Sequence, residues 1–169
     1  NITALAESPL NSNILIAGTD DGLIHISADG GKNWQKYESF PGVPKNTLVQ
    51  NVYASKHSYA IYAVFNNHRN GDFKPYLLKS EDLGKTWVAI QNDLPSRGTV
   101  NCFTEDHKNK QLMFVGTDFG LFVSVNAGKH WQAFKSGLPP TTIKEIAEIR
   151  PSAVVFIATA IPSASSCAF

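Results

Sequence analysis

Residues 27–34 read Ser-Ala-Asp-Gly-Gly-Lys-Asn-Trp, and the same motif returns at residues 80–87 and 124–131. The shared pattern is Ser-x-Asp-x-Gly-x-x-Trp, and all three tryptophans of the chain are the last residues of these motifs. Such a recurring pattern predicts a repeat fold built on three similar turns. The motif residues are Ser27, Asp29, Gly31 and Trp34, then Ser80, Asp82, Gly84 and Trp87, then Ser124, Asn126, Gly128 and Trp131.

Each motif position suits a tight turn. An aspartate or asparagine two residues before a glycine can accept hydrogen bonds from the backbone N–H groups that follow it. The glycine takes up a positive φ without steric cost, and the tryptophan buries a large ring beneath the turn. We therefore expect the motif residues to hold the turns and not to carry out catalysis.

A second repeated segment accompanies the motif. Residues 14–23 resemble residues 112–121, and both have Gly-Thr-Asp between two apolar runs, which is typical of a β-hairpin. Each repeat therefore predicts four strands, and four strands every roughly 40 to 50 residues are typical of a β-propeller blade. The predicted strands are residues 2–7, 14–18, 23–27 and 34–38, then 49–54, 60–65, 76–79 and 87–90, then 100–104, 112–116, 121–124 and 131–134.

The predicted fold class is all-β, with three complete β-propeller blades, each a four-stranded antiparallel sheet, and part of a fourth. Residues 143–149 resemble a first strand but also suit one face of a short helix, and residues 154–159 resemble a second strand. Closed propellers have about four to eight blades, so we expect this chain to pack against remaining blades of a larger protein or to self-associate. The predicted boundaries are blades at about 1–40, 46–92 and 98–135, a partial blade at 143–160 and an irregular tail at 161–169.

Composition argues against several classes of partner. The net charge of +1 and the lack of a basic run indicate no nucleic-acid binding. The sequence has no apolar stretch of the roughly 18 to 20 residues that a membrane span needs. The five histidines show no ligand spacing, and the Gly-rich stretches have the character of turns and not of phosphate loops. We therefore expect no metal and no cofactor.

The three motifs resemble the Asp-box, or BNR repeat, of sialidases, xyloglucanase-type glycoside hydrolases, the sortilin family and photosystem assembly factors. Most similar in spacing are the sortilin-like and glycosyl hydrolase-like BNR proteins. The resemblance implies that the motif lies between strands three and four of each blade, away from the ligand face. It also implies a secreted, periplasmic or cell-surface protein.

The candidate binding residues lie at the opposite end of the blades from the motifs, where the turns between strands two and three meet the linkers. A long polar loop at residues 66–75 replaces the tight turn of the second repeat, and such loops often carry recognition. The alternative is a solvated hairpin extension. The candidates are Asp21, His68, Arg69, Asp72, Phe73, Arg97 and Phe119.

The sequence favours a recognition scaffold for a glycan or a peptide. The alternative is part of a glycoside hydrolase whose active site is completed by missing blades. A sialidase needs three converging arginines, and Arg150 is expected at the far end of its strand from Arg69 and Arg97. A two-carboxylate glycosidase could use Asp21, although hairpin-turn aspartates are ordinarily structural.

Overall fold

The computed structural model describes residues 1–135, 141–149 and 153–155. It contains three four-stranded antiparallel sheets and one two-stranded sheet, and neighbouring strands in each sheet follow the order of the sequence. Blade 1 consists of β1 (Ile2–Ser8), β2 (Asn11–Thr19), β3 (Ile24–Ser27) and β4 (Gln35–Tyr37). Blade 2 consists of β5 (Leu48–Ala54), β6 (Ile61–Asn66), β7 (Tyr76–Ser80) and β8 (Val88–Ala89). Blade 3 consists of β9 (Val100–Glu105), β10 (Met113–Thr117), β11 (Gly120–Ser124) and β12 (Gln132–Ala133).

The predicted all-β class and its three four-stranded sheets are confirmed. The outermost strands are shorter than expected because each motif tryptophan still belongs to the turn, so that β4, β8 and β12 begin one residue later. Beyond β8 and β12 the pairing continues by one bond, from the backbone N–H of Ile90 to the Leu77 carbonyl and from that of Phe134 to the Leu121 carbonyl.

The fourth repeat is described only in part. Its strands are β13 (Ala147–Ile149) and β14 (Ala153–Val155), which pair antiparallel. The strand expected at residues 143–149 begins only at Ala147, and the described residues 141–149 contain no helix. Ile143 precedes β13, is buried against blade 3, and donates its backbone N–H to the Thr117 carbonyl at 2.9 Å. The tail predicted at 161–169 lies outside the described residues.

The three blades stack face to face, and their apolar cores lie between the sheets. We call the face that a blade turns towards the preceding blade its leading face, and the opposite one its trailing face. Between blades 1 and 2, Phe40 from the linker packs against Phe65 and Trp87. Between blades 2 and 3, the Trp131 indole N–H donates to the Ile90 carbonyl at 2.8 Å. The motif tryptophan therefore joins neighbouring blades.

The three motif turns share the hydrogen bonds that join the serine, the aspartate or asparagine, and the glycine. In the second, the Ser80 hydroxyl donates to Asp82 at 2.9 Å and accepts from the Gly84 N–H at 2.8 Å, while Asp82 accepts from the Thr86 N–H at 2.8 Å. The third turn forms the equivalent bonds with Asn126. The single amide oxygen of Asn126 therefore accepts the two hydrogen bonds, from the serine hydroxyl and from a backbone N–H, that one aspartate oxygen accepts in the other two turns.

These bonds predict how stability depends on acid. The hydrogen bonds from Asn33 and Ser27 lower the pKa of Asp29 from 3.8 to about 2, and those from Thr86 and Ser80 do the same for Asp82. A lowered folded-state pKa contributes stability that is complete above the unfolded value and is lost as the pH falls towards the folded one. We expect the thermal midpoint to fall between about pH 4 and pH 2, and to fall less in Asp82→Asn.

The matched variant for this test is Asn126→Asp, which places an aspartate in the third turn. Its thermal midpoint should fall more steeply as the pH is lowered. Thermal midpoints measured from pH 2 to pH 7 give the comparison. An acid response identical in both variants and the unmodified chain would refute this role of the motif acids.

Candidate functional site

The end of the blades opposite the motifs is the loop face, formed by the turns between second and third strands together with the linkers between blades. The linker before blade 3 is tied to the long loop of blade 2, because the Gly98 N–H donates to the Phe73 carbonyl at 2.9 Å. It is also tied to the turn of blade 3, because the Asp118 N–H donates to the Thr99 carbonyl at 3.2 Å. These two bonds place three separate segments side by side.

A cleft of about 230 Å³ opens where these segments meet. We call it the loop-face cleft, and it is lined by Phe73, Arg97, Gly98, Asp118 and Phe119. Three of the residues predicted from the sequence, Phe73, Arg97 and Phe119, are thus brought together. Their assignment to ligand binding is still a prediction.

Gly98 allows this cleft to form. Its φ of +149° is rarely adopted by residues with a side chain, and an added Cβ would lie 2.9 Å from Cδ2 of Phe119. Any other residue would therefore strain the linker and displace the Phe119 ring.

The cleft is lined by one cation, Arg97, and one carboxylate, Asp118. The Arg97 side chain is exposed, and within the described part of the chain it makes no hydrogen bond or ion pair. Asp118 instead accepts a hydrogen bond from the Asn101 side-chain amide at 3.0 Å. The cleft therefore presents a free guanidinium beside the exposed rings of Phe73 and Phe119.

The long loop of blade 2 is organised by Asp72. Its carboxylate accepts hydrogen bonds from the Tyr76 hydroxyl, the Asn67 amide and the Lys74 N–H. Burial alone would raise the pKa of Asp72, but these bonds lower it overall. Burial and the hydrogen bond to Asp72 raise the pKa of Tyr76 to about 12. Asp72 therefore stabilises the conformation of the loop.

The other predicted binding residues lie on the same face but outside the cleft. His68 and Arg69 belong to a short 3₁₀ turn, His68–Asn70, where the His68 ring contacts the Asn66 side chain. Asp21, in the turn of blade 1, accepts from the Thr19 hydroxyl. Arg69 is exposed, so its position makes it a natural control for Arg97.

A buried carboxylate that the sequence pattern did not predict lies at the motif end. Glu105 ends β9 almost fully buried, where it accepts from the hydroxyls of Ser55 and Tyr62 at 2.7 Å each and from the Lys56 N–H at 3.2 Å. Burial and Glu105 together raise the pKa of Tyr62 above its ordinary value. A cleft of about 330 Å³ opens beside these groups.

A third cleft, of about 400 Å³, runs along the innermost strands β5 and β9. Its polar lining includes Gln50, Asn51, Asn101 and Lys144, and the Lys144 ammonium donates to the Asn101 side chain at 3.5 Å. The loop-face cleft is the smallest of these three. We favour it because an unpaired cation there stands next to two exposed aromatic rings.

Two further findings concern the described residues alone. They contain no group of three His, Cys, Asp or Glu side chains placed to hold a metal ion. They also contain no helix long and apolar enough to cross a membrane.

Comparison with known proteins agrees with the repeat pattern. A family model described as the BNR/Asp-box repeat matches residues 25–36, which include the first motif. No curated protein sequence matches the chain. The first blade therefore carries a BNR/Asp-box repeat, and the other two motifs repeat the hydrogen bonds of its serine and aspartate with the turn backbone.

Similar solved structures are β-propellers. An ancestral GH74 enzyme is 23% identical with a TM-score of 0.62, over 81% of this chain and 19% of that one. YCF48 from Cyanidioschyzon merolae is 22% identical with a TM-score of 0.58, over 78% of this chain and 36% of that one. A YCF48 bound to D1 peptide is 16% identical with a TM-score of 0.60, over 78% and 39%.

These comparisons show the fold of the chain, which spans well under half the length of each structure. They bear out the predicted resemblance to BNR propellers. The sortilin-like part of that resemblance and the secreted location stay predictions.

Proposed function

We propose that this chain is a recognition scaffold whose loop-face cleft binds a peptide segment bearing a carboxylate. The observation that carries the proposal is the unpaired guanidinium of Arg97 beside the exposed rings of Phe73 and Phe119. A guanidinium can hold a carboxylate through two parallel N–H···O bonds. Neighbouring aromatic rings supply apolar contact to an adjacent side chain.

A carboxylate-bearing peptide accounts for the unpaired guanidinium of Arg97 better than a neutral glycan does. A neutral sugar would stack on the two rings but would leave the guanidinium without a partner of opposite charge. A propeller of the same fold, YCF48, has been solved bound to D1 peptide. This supports peptide binding as a use of the scaffold. The proposal keeps the secreted, periplasmic or cell-surface location that the BNR resemblance implies.

The hydrolase alternative has less support at this cleft. A glycosidase of the usual kind needs two carboxyl groups roughly 5 to 10 Å apart. Of the described residues, the loop-face cleft has one, Asp118, and its carboxylate is bonded to Asn101. Asp21, the weak catalytic candidate, does not line the cleft. Hydrolysis of a polysaccharide by the full-length protein, lost in Asp21→Asn, would favour the enzyme.

We expect Arg97→Ala to weaken peptide binding by about 10- to 100-fold, because a charge-assisted bond contributes about 1.5 to 3 kcal/mol. The probe is a panel of Phe-containing peptides, each made with a free carboxylate and as its amide. Affinity is measured by calorimetry. Thermal stability should not change, since the side chain is exposed and unpaired.

The matched control is Arg69→Ala, which removes the same charge from the same face outside the cleft and should leave affinity nearly unchanged. An equal loss of affinity in both variants would mean that Arg97 acts only through the general charge of the face and not through the cleft. Binding of acidic oligosaccharides with no binding of any peptide would replace the peptide proposal with a glycan one.

A further inference from the structure

The turn between the second and third strands of blade 3 does not use the carboxylate of Asp118. The turn is closed by Thr117, whose hydroxyl donates to the Gly120 carbonyl at 2.9 Å and accepts from the Phe119 N–H at 3.1 Å. Of the described residues, only Asn101 donates a hydrogen bond to the Asp118 carboxylate. Turn aspartates are ordinarily structural because they bond the turn backbone, and this carboxylate does not.

Blade 2 shows that the fold does not require a negative charge at this position. The first strands of blades 2 and 3 each contain one bulge residue, which is Gln50 in β5 and Asn101 in β9. Each bulge residue bonds a side chain at the end of the second strand, Asn66 at 3.3 Å in blade 2 and Asp118 at 3.0 Å in blade 3. Two neutral amides make this contact in blade 2, so an amide at position 118 would preserve it.

Asn101 fixes the direction of the Asp118 carboxylate. Asn101 is 3% exposed, and its side-chain oxygen accepts from the Lys144 ammonium at 3.5 Å. An ammonium group can only donate, so the amide oxygen of Asn101 faces Lys144 and its N–H group faces Asp118. That bond occupies Oδ1 of Asp118 and leaves Oδ2 without a partner among the described residues.

The loop-face cleft therefore contains two opposite charges that are not paired with each other. Arg97 and Asp118 both line it, yet no ion pair joins them. A ligand with a carboxylate alone would satisfy Arg97, but the Asp118 carboxylate would repel it. A ligand that also carries a cation would satisfy both side chains.

The rings and the size of the cleft limit the ligand further. Phe73 and Phe119 are exposed in it, and aromatic rings attract cations and contact the methylene stems of long cationic side chains. The volume of about 230 Å³ is smaller than the roughly 300 to 1,000 Å³ of pockets that enclose drug-sized ligands, so one peptide residue fits. A single residue has both charges if it is basic and C-terminal or acidic and N-terminal. Only the first has a long apolar stem.

We propose that the loop-face cleft binds the C-terminal residue of a peptide that ends in lysine or arginine. This inference rests on the proposed function and names the class of its ligand. Arg97 binds the terminal carboxylate, Asp118 binds the cationic group, and the stem packs against Phe73 and Phe119. Asn101 is a positioning residue, since it acts through Asp118.

The test uses four acetylated peptides with a Gly-Ser-Gly lead, which end in lysine or norleucine, each with a free carboxylate or as its amide. Affinities for the unmodified chain are measured by NMR titration. We expect the lysine acid to bind at least about 10-fold more tightly than the norleucine acid, because it adds a charge-assisted contact. Equal affinity of these two acids, with both favoured over their amides, would overturn this inference alone. If neither acid is favoured over its amide, the proposed function fails as well.

Asp118→Asn should weaken binding of the lysine acid at least about 10-fold without weakening that of the norleucine acid, since a repelling charge is removed. The matched control is Asp20→Asn, because Asp20 follows Thr19 in blade 1 as Asp118 follows Thr117, and it lies outside the cleft. This control should leave the ratio of the two affinities unchanged. The same change of affinity for both acids in Asp118→Asn, or the same loss of the ratio in Asp20→Asn, would overturn the inference.

Discussion

Trp87→Ala lowers the free energy of unfolding by about 3 to 5 kcal/mol, the usual cost of truncating a large buried aromatic side chain. The Trp87 ring is buried between blades 1 and 2, where it makes an edge contact with Phe40. Its indole N–H also donates to the Gly84 carbonyl at 2.9 Å. The variant therefore loses apolar contact between two blades together with a hydrogen bond inside the turn. Chemical denaturation gives the measurement.

Trp34→Ala is the matched control. The Trp34 indole N–H makes the same bond within its turn, to the Gly31 carbonyl at 3.0 Å, but the residue is 42% exposed and, within the described part of the chain, no neighbouring blade covers it. We expect a loss of less than about 1.5 kcal/mol, mainly from one partly exposed hydrogen bond. Equal losses in the two variants would mean that the tryptophan stabilises only its own turn, which would contradict its role between blades.

Glu105→Ala is expected to cost about 2 to 5 kcal/mol, although the residue has no place in the Asp-box motif. The substitution leaves the Ser55 and Tyr62 hydroxyls buried between blades 2 and 3 without an acceptor, and each unsatisfied buried group costs about 1 to 3 kcal/mol. Glu105→Gln keeps one acceptor oxygen and should cost less. Urea denaturation of both variants measures the difference.

Glu7→Ala is the control for Glu105. Glu7 pairs with Leu15 in blade 1 as Glu105 pairs with Met113 in blade 3, but Glu7 is exposed. We expect it to change stability by less than about 0.5 kcal/mol, as surface substitutions usually do. A stable Glu105→Ala protein would show that the buried carboxylate does not connect the two blades.

The repeat fold could be predicted because its determinants are local. Asp29 and Gly31 act within four residues of each other, and the apolar runs that end at Gly18 and Gly116 are each followed by a Thr-Asp turn and a second apolar run, as in a β-hairpin. Each blade is therefore evident from its own segment of sequence. The residue pairing of the first strands could not be predicted in the same way, because β1 and β5 each contain a bulge that the apolar pattern does not show.

The candidate site could be predicted only at the level of the face. Phe73, Arg97 and Phe119 are far apart in sequence, and the two backbone bonds that bring their segments together involve Gly98 and Asp118. Asp72 stabilises the loop by accepting a hydrogen bond from Tyr76. This contact depends on a loop conformation that the sequence pattern does not specify.

Glu105 was missed because a carboxylate at the end of an apolar strand ordinarily faces solvent. Its donors, Ser55 and Tyr62, come from another blade. The one signal in the sequence is the carboxylate at the same register position in blade 1, Glu7. That signal becomes visible once β1 and β9 are aligned through their second strands.

The motif tryptophans Trp87 and Trp131 join stacked blades, whereas Trp34 is left exposed. Hydrogen exchange at the three indole N–H groups of the unmodified chain, followed by NMR, tests this claim most directly. We expect slow exchange at Trp87 and Trp131 and exchange at least about tenfold faster at Trp34, whose bond lies at the surface. Fast exchange at all three indoles, or equal protection of Trp34 in a monomer, would contradict it.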